Sequence, residues 1–258
     1  MISGGSVNMT IPKYLYHYTS IENLALILGN RTLRFSRTDL VNDLEEINIT
    51  DLPEIKKAVY ISCWTASEKE SIPLWNLYAS KAKGVRIKLP SNMFLRSMEP
   101  YKVDNIDCYI VNLMSLHNIV ECENDNQWIP YLFGPVQISY DADNAVAVLN
   151  EDKLEAHKIG TVKLDHWAFE KEHRFLIIPD ALWNPEKEHF ILDRNYISNP
   201  KINVFIDISL DPKVLDSIEV TLGPSATEAE KCIVTSLLET FAKKGTVVES
   251  KLKDRIRL

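Results

Sequence analysis

A run of charged residues leads directly into an apolar run within the segment Asp165–Pro179, and this segment constrains the fold most. Its apolar half ends at a proline, which is typical of a buried strand. If the strand begins near Phe169, the two-residue period of a strand places Glu170, Glu172 and Arg174 on one face. Charges beside a core persist when they are paired or used. The segment therefore predicts either a ladder of surface ion pairs or a functional site.

The composition indicates a compact globular protein. Of the 258 residues, 45% are hydrophobic and only eight are glycine, which is unlike a disordered chain. No repeat, low-complexity segment or linker divides the sequence, so we expect one domain over residues 10–258. Residues 1–9 are expected to be a disordered tail, or an addition ahead of a native start at Met9.

Charge and cysteine content narrow the class of protein. The formal net charge of −7 and a pI of about 5.5 provide no global basic field for collecting nucleic acid, although a local patch could still serve a catalyst. The four cysteines are scattered without a Cys-x-x-Cys pair, which favours reduced thiols in the cytoplasm. No apolar run approaches the length of a membrane span, so no membrane partner is expected.

Two strands and a helix are predicted near the N-terminus. The alternating, aromatic-rich segment Lys13–Tyr18 predicts a strand, Ile21–Leu28 a helix capped by Ser20, and Leu33–Ser36 a second strand. His17 lies where the first strand meets the helix, and such junctions can hold a ligand. The alternative is a histidine that packs under a loop.

The next elements introduce an aromatic pair. Trp75 and Tyr78 lie three residues apart on the predicted helix Leu74–Ser80 and therefore share a face. Such a pair either belongs to the core or offers a ring for stacking on a planar heterocycle. Upstream, Asn42 and Asp43 are interpreted as a structural turn.

The remaining pattern predicts an α+β protein with mixed or antiparallel sheets and flanking helices. The amphipathic helix that follows Thr227 is expected to turn Ile233, Leu237, Leu238 and Phe241 inward. The other predicted elements are the strands Ala58–Cys63, Val85–Leu89, Ile202–Ile206, Leu215–Leu222 and Val247–Lys251, a loop over Asn118–Tyr131 and a helix over Ala142–Ile159.

Several chemistries lack their motifs. The sequence contains neither a glycine-rich phosphate loop nor the G-x-S-x-G turn of a hydrolase. His166, Glu170 and His173 lie close together, but the H-E-x-x-H spacing is missing and a strand sends His173 to the opposite face. No metal site is predicted.

Several short motifs follow one another along residues 14–250, namely Leu15–Ser20, Asn23–Leu24, Leu33–Ser36, Asn42–Asp43, Ser62–Cys63, Leu74–Tyr78, Lys83–Gly84, Trp167–Arg174 and Val220–Pro224. In type and order they resemble a bacterial and phage domain family long described only as of unknown function. The sequence departs from that family at Leu44, where a proline is usual after the aspartate.

The layout of this family is similar to that of ADP-ribosyltransferase toxins and anti-phage defence enzymes. Their marks are a histidine on an early strand, an aromatic ring that stacks on nicotinamide and a glutamate at the start of a late strand. His17 matches the first mark, Trp75 or Tyr78 the second, and Glu172 or Glu170 the third. The residues that the resemblance implies for binding NAD are His17, Tyr18, Thr19, Ser36, Trp75, Tyr78 and Arg174.

The resemblance implies an ADP-ribosyltransferase-like domain that uses NAD as substrate and modifies a nucleic acid or protein. It also implies an antitoxin or regulatory partner. Glu172 is the preferred catalytic carboxylate because Arg174 can keep it ionised, with Glu170 and His17 in support. The alternatives are an NAD glycohydrolase, a non-catalytic binding module and, more remotely, a nuclease-like or metal-dependent enzyme. Strands near Lys13, Ala58, Val85 and Phe169 are expected to line one cleft.

Overall fold

The computed structural model of the chain describes residues 11–43, 47, 53–95, 101–103, 106–110, 116–117, 131–141, 159–178, 181–184, 189–192 and 204–256. The predicted tail over residues 1–9 lies outside them. So does all but the last residue of the predicted loop over residues 118–131 and of the predicted helix over residues 142–159.

The described chain is an α+β protein that is rich in strands. The strands are β1 (Tyr14–Thr19), β2 (Thr32–Arg37), β3 (Tyr60–Thr65), β4 (Val85–Pro90), β5 (Tyr101–Val103), β6 (Ile106–Ile110), β7 (Leu116–His117), β8 (Tyr131–Gln137), β9 (Ser139–Asp141), β10 (Val162–Leu164), β11 (Glu172–Ile178), β12 (Ala181–Asn184), β13 (His189–Leu192), β14 (Phe205–Ser209), β15 (Glu219–Leu222) and β16 (Thr246–Val248).

Helices are few and begin at side-chain caps. Ser20, Ser71, Asp211 and Thr227 each accept a hydrogen bond from a backbone N–H of the first turn, which satisfies a donor that the helix leaves unpaired. The α-helices are α1 (Ile21–Asn30), α2 (Ile72–Tyr78), α3 (Pro212–Leu215) and α4 (Glu228–Phe241), and the 3₁₀ helices are Thr38–Leu40, Pro53–Lys57 and Asp165–Glu170.

Twelve strands form one open sheet that is mostly antiparallel. Its main path runs β16-β15-β4-β1-β3-β11-β8-β6-β5, and β2, β14 and β7 branch from it. Only β15 and β16 pair in parallel within the described part of this sheet. Two separate strand pairs, β9 with β10 and β12 with β13, lie outside it.

The sheet forks at β3. Strand β11 pairs along one edge of β3, whereas β1 and β2 share the other edge. Tyr16 of β1 is opposite Thr65, and Ser36 of β2 is opposite Ile61. Between these two contacts neither strand pairs in register with β3, so β1 and β2 diverge near Cys63.

Helices cover both faces of the sheet. On one face, Leu24 and Leu28 of α1 and Val234 and Leu238 of α4 pack into the main core. On the other face, Trp75 of α2 belongs to a smaller cluster with Tyr18. Burying these apolar side chains supplies the favourable free energy that holds the helices to the sheet.

The predicted strands and helices that fall within the described residues are confirmed with shifted bounds, and one prediction about a helix face is wrong. The strands near Lys13, Ala58 and Val85 and the helices α1, α2 and α4 are present. The strand expected from Phe169 begins instead at Glu172, because Lys171 adopts a left-handed φ of 47° that ends the preceding 3₁₀ helix. Ile233, predicted to face inward, is 51% exposed, since α4 turns Val234 to the core instead.

Candidate functional site

A cavity of about 580 Å³ opens at the fork of the sheet, and we call it the main cavity. Its size lies within the range of small-molecule sites. Strands β1, β2 and β3 and helix α2 contribute to its walls, and Lys163, Glu170 and Glu172 close one end. None of the residues of β4 lines it, so the expected contribution of the strand near Val85 is wrong, and β2 takes that place through Arg34 and Ser36.

The acidic end of the main cavity is a buried ion-pair cluster. Arg174 donates two hydrogen bonds to Glu172, from Nε to Oε1 at 2.6 Å and from Nη2 to Oε2 at 2.9 Å. Lys163 Nζ lies between the two carboxylates, 2.8 Å from Glu170 and 3.2 Å from Glu172. Among the described residues, the two carboxylates balance the two cations, and such pairing favours the burial of charged groups together.

Glu172 is held ionised. Burial alone would raise its pKa, but the charge and hydrogen bonds of Arg174, with Lys163 in support, lower that pKa to about 2. The backbone N–H of Glu172 also donates to the Tyr140 hydroxyl at 2.8 Å. The bidentate contact with Arg174 therefore fixes the Glu172 side chain and favours its ionised form.

Glu170 differs from Glu172 although the same lysine bridges them. Burial raises the pKa of Glu170, and Lys163 only partly offsets that rise. Its Oε1 accepts a 2.6 Å hydrogen bond from the Tyr78 hydroxyl. Burial, with this carboxylate beside it, raises the pKa of Tyr78 as well, so the phenol keeps its proton. Two neighbouring carboxylates with opposite pKa shifts are suited to different chemical roles.

His17 lies in the fork itself. Its Nδ1 is 2.8 Å from the carbonyl oxygen of Cys63, at the point where β1 and β2 part. A carbonyl only accepts hydrogen bonds, so Nδ1 carries the proton and the neutral ring has Nε2 as an acceptor. Burial lowers the pKa of His17, which favours this neutral form.

His17 and Glu172 stand on opposite sides of β3. Tyr16 and Glu172 are both in register with Thr65, so two strand spacings, about 10 Å, separate their backbones. His17 is one residue further along β1. The two residues are thus within the span of a single dinucleotide.

Helix α2 separates the roles of its two aromatic residues. Trp75 is fully buried, packs edge-on against Tyr18 and donates from Nε1 to Glu70 at 2.9 Å. The prediction that Trp75 could stack on a ligand is therefore wrong, because no face of its ring is exposed. Tyr78 is 36% exposed and lines the main cavity, which leaves it as the aromatic candidate.

The other predicted binding residues divide in the same way. Ser36 and Tyr18 line the main cavity, whereas Thr19 reaches only a neighbouring space. Arg174 has no exposed surface and donates hydrogen bonds to Glu172 and to the carbonyl oxygen of Gly160. The prediction that Arg174 contacts the ligand directly is therefore wrong. Arg174 positions Glu172 instead.

Three residues of the site were not identified from sequence. Lys163 bridges the carboxylates, Asn42 donates from Nδ2 to the Tyr78 hydroxyl at 3.0 Å, and Cys63 lines the main cavity as an exposed thiol. Asn42 and Cys63 belong to motifs that carry the family resemblance, but the sequence pattern predicts only a turn at Asn42. Lys163 had no signal of its own.

A second, smaller space of about 290 Å³ adjoins the main cavity, and we call it the side cavity. Helix α1 contributes Asn23 and Ile27 to its wall, and β14 contributes Asp207. The two cavities share His17, Tyr18, Arg34, Ser36 and Tyr78 as lining residues. A ligand at the fork can therefore extend from one into the other.

Two further features, a metal-binding cluster and a membrane-spanning helix, are both absent from the described part of the chain. Within it, no three His, Cys, Asp or Glu side chains gather as a metal site would require. The helices of that part include none with the length and apolar character needed to cross a membrane.

Fold and site together define an α+β protein whose open, mostly antiparallel sheet forks around a cavity with a buried ion-pair cluster at one end. No protein-family model, curated protein or solved structure matches the chain. Its function is therefore inferred from the residues of the site.

Proposed function

We propose that the protein is an NAD-dependent ADP-ribosyltransferase with an ADP-ribosyltransferase-like fold, acting as a toxin or anti-phage effector on a nucleic acid or protein. The observation that carries the proposal is Glu172, a carboxylate held ionised by Arg174 at the wall of a cavity of ligand size. The motif resemblance supplies the reaction class, and the geometry supports the roles of its residues.

The reaction requires a fixed negative charge. The bond between C1′ of the ribose and the nicotinamide nitrogen breaks, its electron pair leaves with nicotinamide, and the ribose becomes cation-like. A preorganised carboxylate stabilises that developing charge without rearranging. Arg174 lies behind Glu172 and lines neither cavity, so the carboxylate is nearer to a bound ribose than its partner guanidinium is.

Glu170 and Tyr78 serve the second half of the reaction. An acceptor oxygen or nitrogen attacks C1′ and must lose a proton. Glu170, with its raised pKa, takes that proton more readily than Glu172. Tyr78 orients Glu170 through its hydroxyl and presents its ring to nicotinamide. His17 accepts a hydrogen bond from a ribose hydroxyl at Nε2 and so fixes the ribose.

The decisive assay measures nicotinamide released from labelled NAD, with and without cell extract, for the wild type and for Glu172→Gln and Glu170→Gln. We expect release by the wild type and a loss of roughly 10²-fold or more in kcat for Glu172→Gln, the scale of removing one electrostatic stabiliser. Glu172→Asp, which keeps the charge, is the matched variant. All variants are assayed at a temperature where each is shown to be folded.

The outcomes separate the alternatives. Release without any acceptor identifies an NAD glycohydrolase, and label transferred to a protein, RNA or DNA fraction identifies a transferase and its acceptor class. A wild type that binds NAD but releases no nicotinamide under any condition is a binding module. If Glu170→Gln abolishes turnover while Glu172→Gln does not, the two glutamates exchange roles.

A further inference from the structure

Arg34 stands at the junction of the main and side cavities in a fixed orientation. Its Nε and Nη2 donate to the two carboxylate oxygens of Asp207 at 2.9 and 3.1 Å. Its guanidinium carbon lies 3.5 Å from the centroid of the Phe205 ring, so the ring supports one face of the plane. Both partners belong to β14, which pairs with β2 in register. Two contacts from a neighbouring strand thus preorganise this side chain.

The same guanidinium retains donors for a ligand. An arginine has five N–H donors, and the bonds to Asp207 use two of them. The Arg34 side chain is 48% exposed and lines both cavities, whereas Asp207 is 6% exposed. Lys163 is the other cation among the described residues that line the main cavity, but it is enclosed between two carboxylates and only 3% exposed.

We propose that Arg34 binds the pyrophosphate of a dinucleotide and so divides the ligand between the two cavities. The inference rests on the proposed function in taking NAD as the ligand, with the nicotinamide riboside half in the main cavity and the adenosine half in the side cavity. A planar guanidinium whose one edge is held by a carboxylate presents its remaining edge to phosphate oxygens, which it recognises in a bidentate manner. This residue selects a dinucleotide over a nucleoside.

A bidentate arginine–carboxylate pair can also serve only the stability of the fold. A second such pair, away from both cavities, provides a control for that role. Arg37 and Asp39 form the same bidentate arrangement, with distances of 2.7 and 2.9 Å, but line neither cavity. Both arginines belong to β2. Substitution of Arg37 therefore measures the cost of losing such a pair where no ligand is expected.

The test is calorimetric titration of the full chain with NAD, ADP-ribose, nicotinamide riboside and adenosine, for the wild type, Arg34→Gln, Arg34→Lys and Arg37→Gln. We expect Arg34→Gln to weaken binding of NAD and ADP-ribose by roughly 10- to 100-fold, the scale of losing charge-assisted hydrogen bonds. Binding of the two nucleosides should not change. Arg34→Lys should recover part of the loss, because it restores the charge without the planar fork. Arg37→Gln should change none of the four.

Three results overturn the inference: equal losses for nucleosides and dinucleotides, no loss with Arg34→Gln, or no binding of either phosphate ligand by the wild type. Melting temperatures of the three variants show whether a loss of binding reflects unfolding. If ADP-ribose binds in an Arg34-dependent manner while the wild type releases no nicotinamide from NAD, the phosphate site stands and the proposed catalysis fails.

Discussion

Removing the charge of Glu172 should destabilise the protein strongly, apart from any effect on catalysis. Glu172→Gln keeps the shape of the side chain but leaves Arg174 and Lys163 facing one carboxylate, Glu170, in place of two. The new amide also points N–H donors at a site where Arg174 already donates. Arg174 has no exposed surface, so water cannot compensate the excess positive charge.

The magnitude follows from burial. Breaking a buried ion pair by removing one partner costs roughly 3–5 kcal/mol. The pKa gives a similar scale, because lowering the pKa of Glu172 from its ordinary 4.5 to about 2 corresponds to about 3 kcal/mol of stability at neutral pH. A group whose pKa is depressed on folding loses this contribution as the pH falls toward that pKa. Wild-type stability should therefore decrease between about pH 4.5 and 2, and Glu172→Gln should flatten that decrease.

Urea denaturation at pH 7 measures the effect, and a second substitution tests its cause. Lys163→Met in the Glu172→Gln background removes one cation and returns the cluster to neutrality, so the double variant should lose less stability than the two single losses added together. The control is Glu249→Gln. Glu249 also contacts two lysines, at 2.8 and 3.1 Å, but it is 41% exposed, and its removal should change the midpoint little.

Additive losses in the double variant would refute the reasoning, because they would show that the buried charges do not depend on one another. A loss for Glu172→Gln no larger than that for Glu249→Gln would refute it as well, since burial would then make no difference.

Two further predictions concern the walls of the main cavity. Trp75→Ala should lower the free energy of unfolding by roughly 3–5 kcal/mol in urea denaturation, because the ring is fully buried. Tyr78→Ala should instead weaken NAD binding by roughly 1–3 kcal/mol, the scale of base–aromatic stacking. The opposite pattern would exchange the roles of the two residues. Iodoacetamide should modify both Cys63 and Cys232, which are exposed, and NAD should protect only Cys63, which lines the main cavity. Mass spectrometry measures the modification of each cysteine, and equal modification of Cys63 with and without NAD would contradict the placement of the ligand.

The strands and helices that have a clear signal in their own residues could be predicted from the sequence. The alternation of Lys13–Tyr18, the apolar run at Ala58–Cys63 and the cap at Ser20 each correspond to an element of the structure. The pairing of Glu172 with Arg174 was also predictable, because both lie two residues apart on one strand. The strand at Leu215–Leu222 was too long, because its first residue ends helix α3.

The fork could not be predicted, since it depends on which strands share an edge of β3. That choice is made by contacts between residues far apart in sequence, such as Tyr16 with Thr65 and Ser36 with Ile61. The exclusion of Trp75 from the site has the same origin. The three-residue spacing puts Trp75 and Tyr78 on one side of a helix, but only the packing of Tyr18 and Glu70 around Trp75 decides which ring is covered.

Lys163 shows why a residue can be central to a site and still lack a sequence signal. In the triplet Val162–Leu164, an ordinary alternating pattern would turn the lysine toward solvent. The structure does the reverse, with Lys163 buried between two less buried apolar neighbours. Burial of the lysine requires the carboxylates of Glu170 and Glu172, and burial of Glu170 requires the positive charge of the lysine, because Arg174 already pairs with Glu172. Because each charge is tolerable only with the others in place, the cluster must form as a unit when β10, the adjoining 3₁₀ helix and β11 come together.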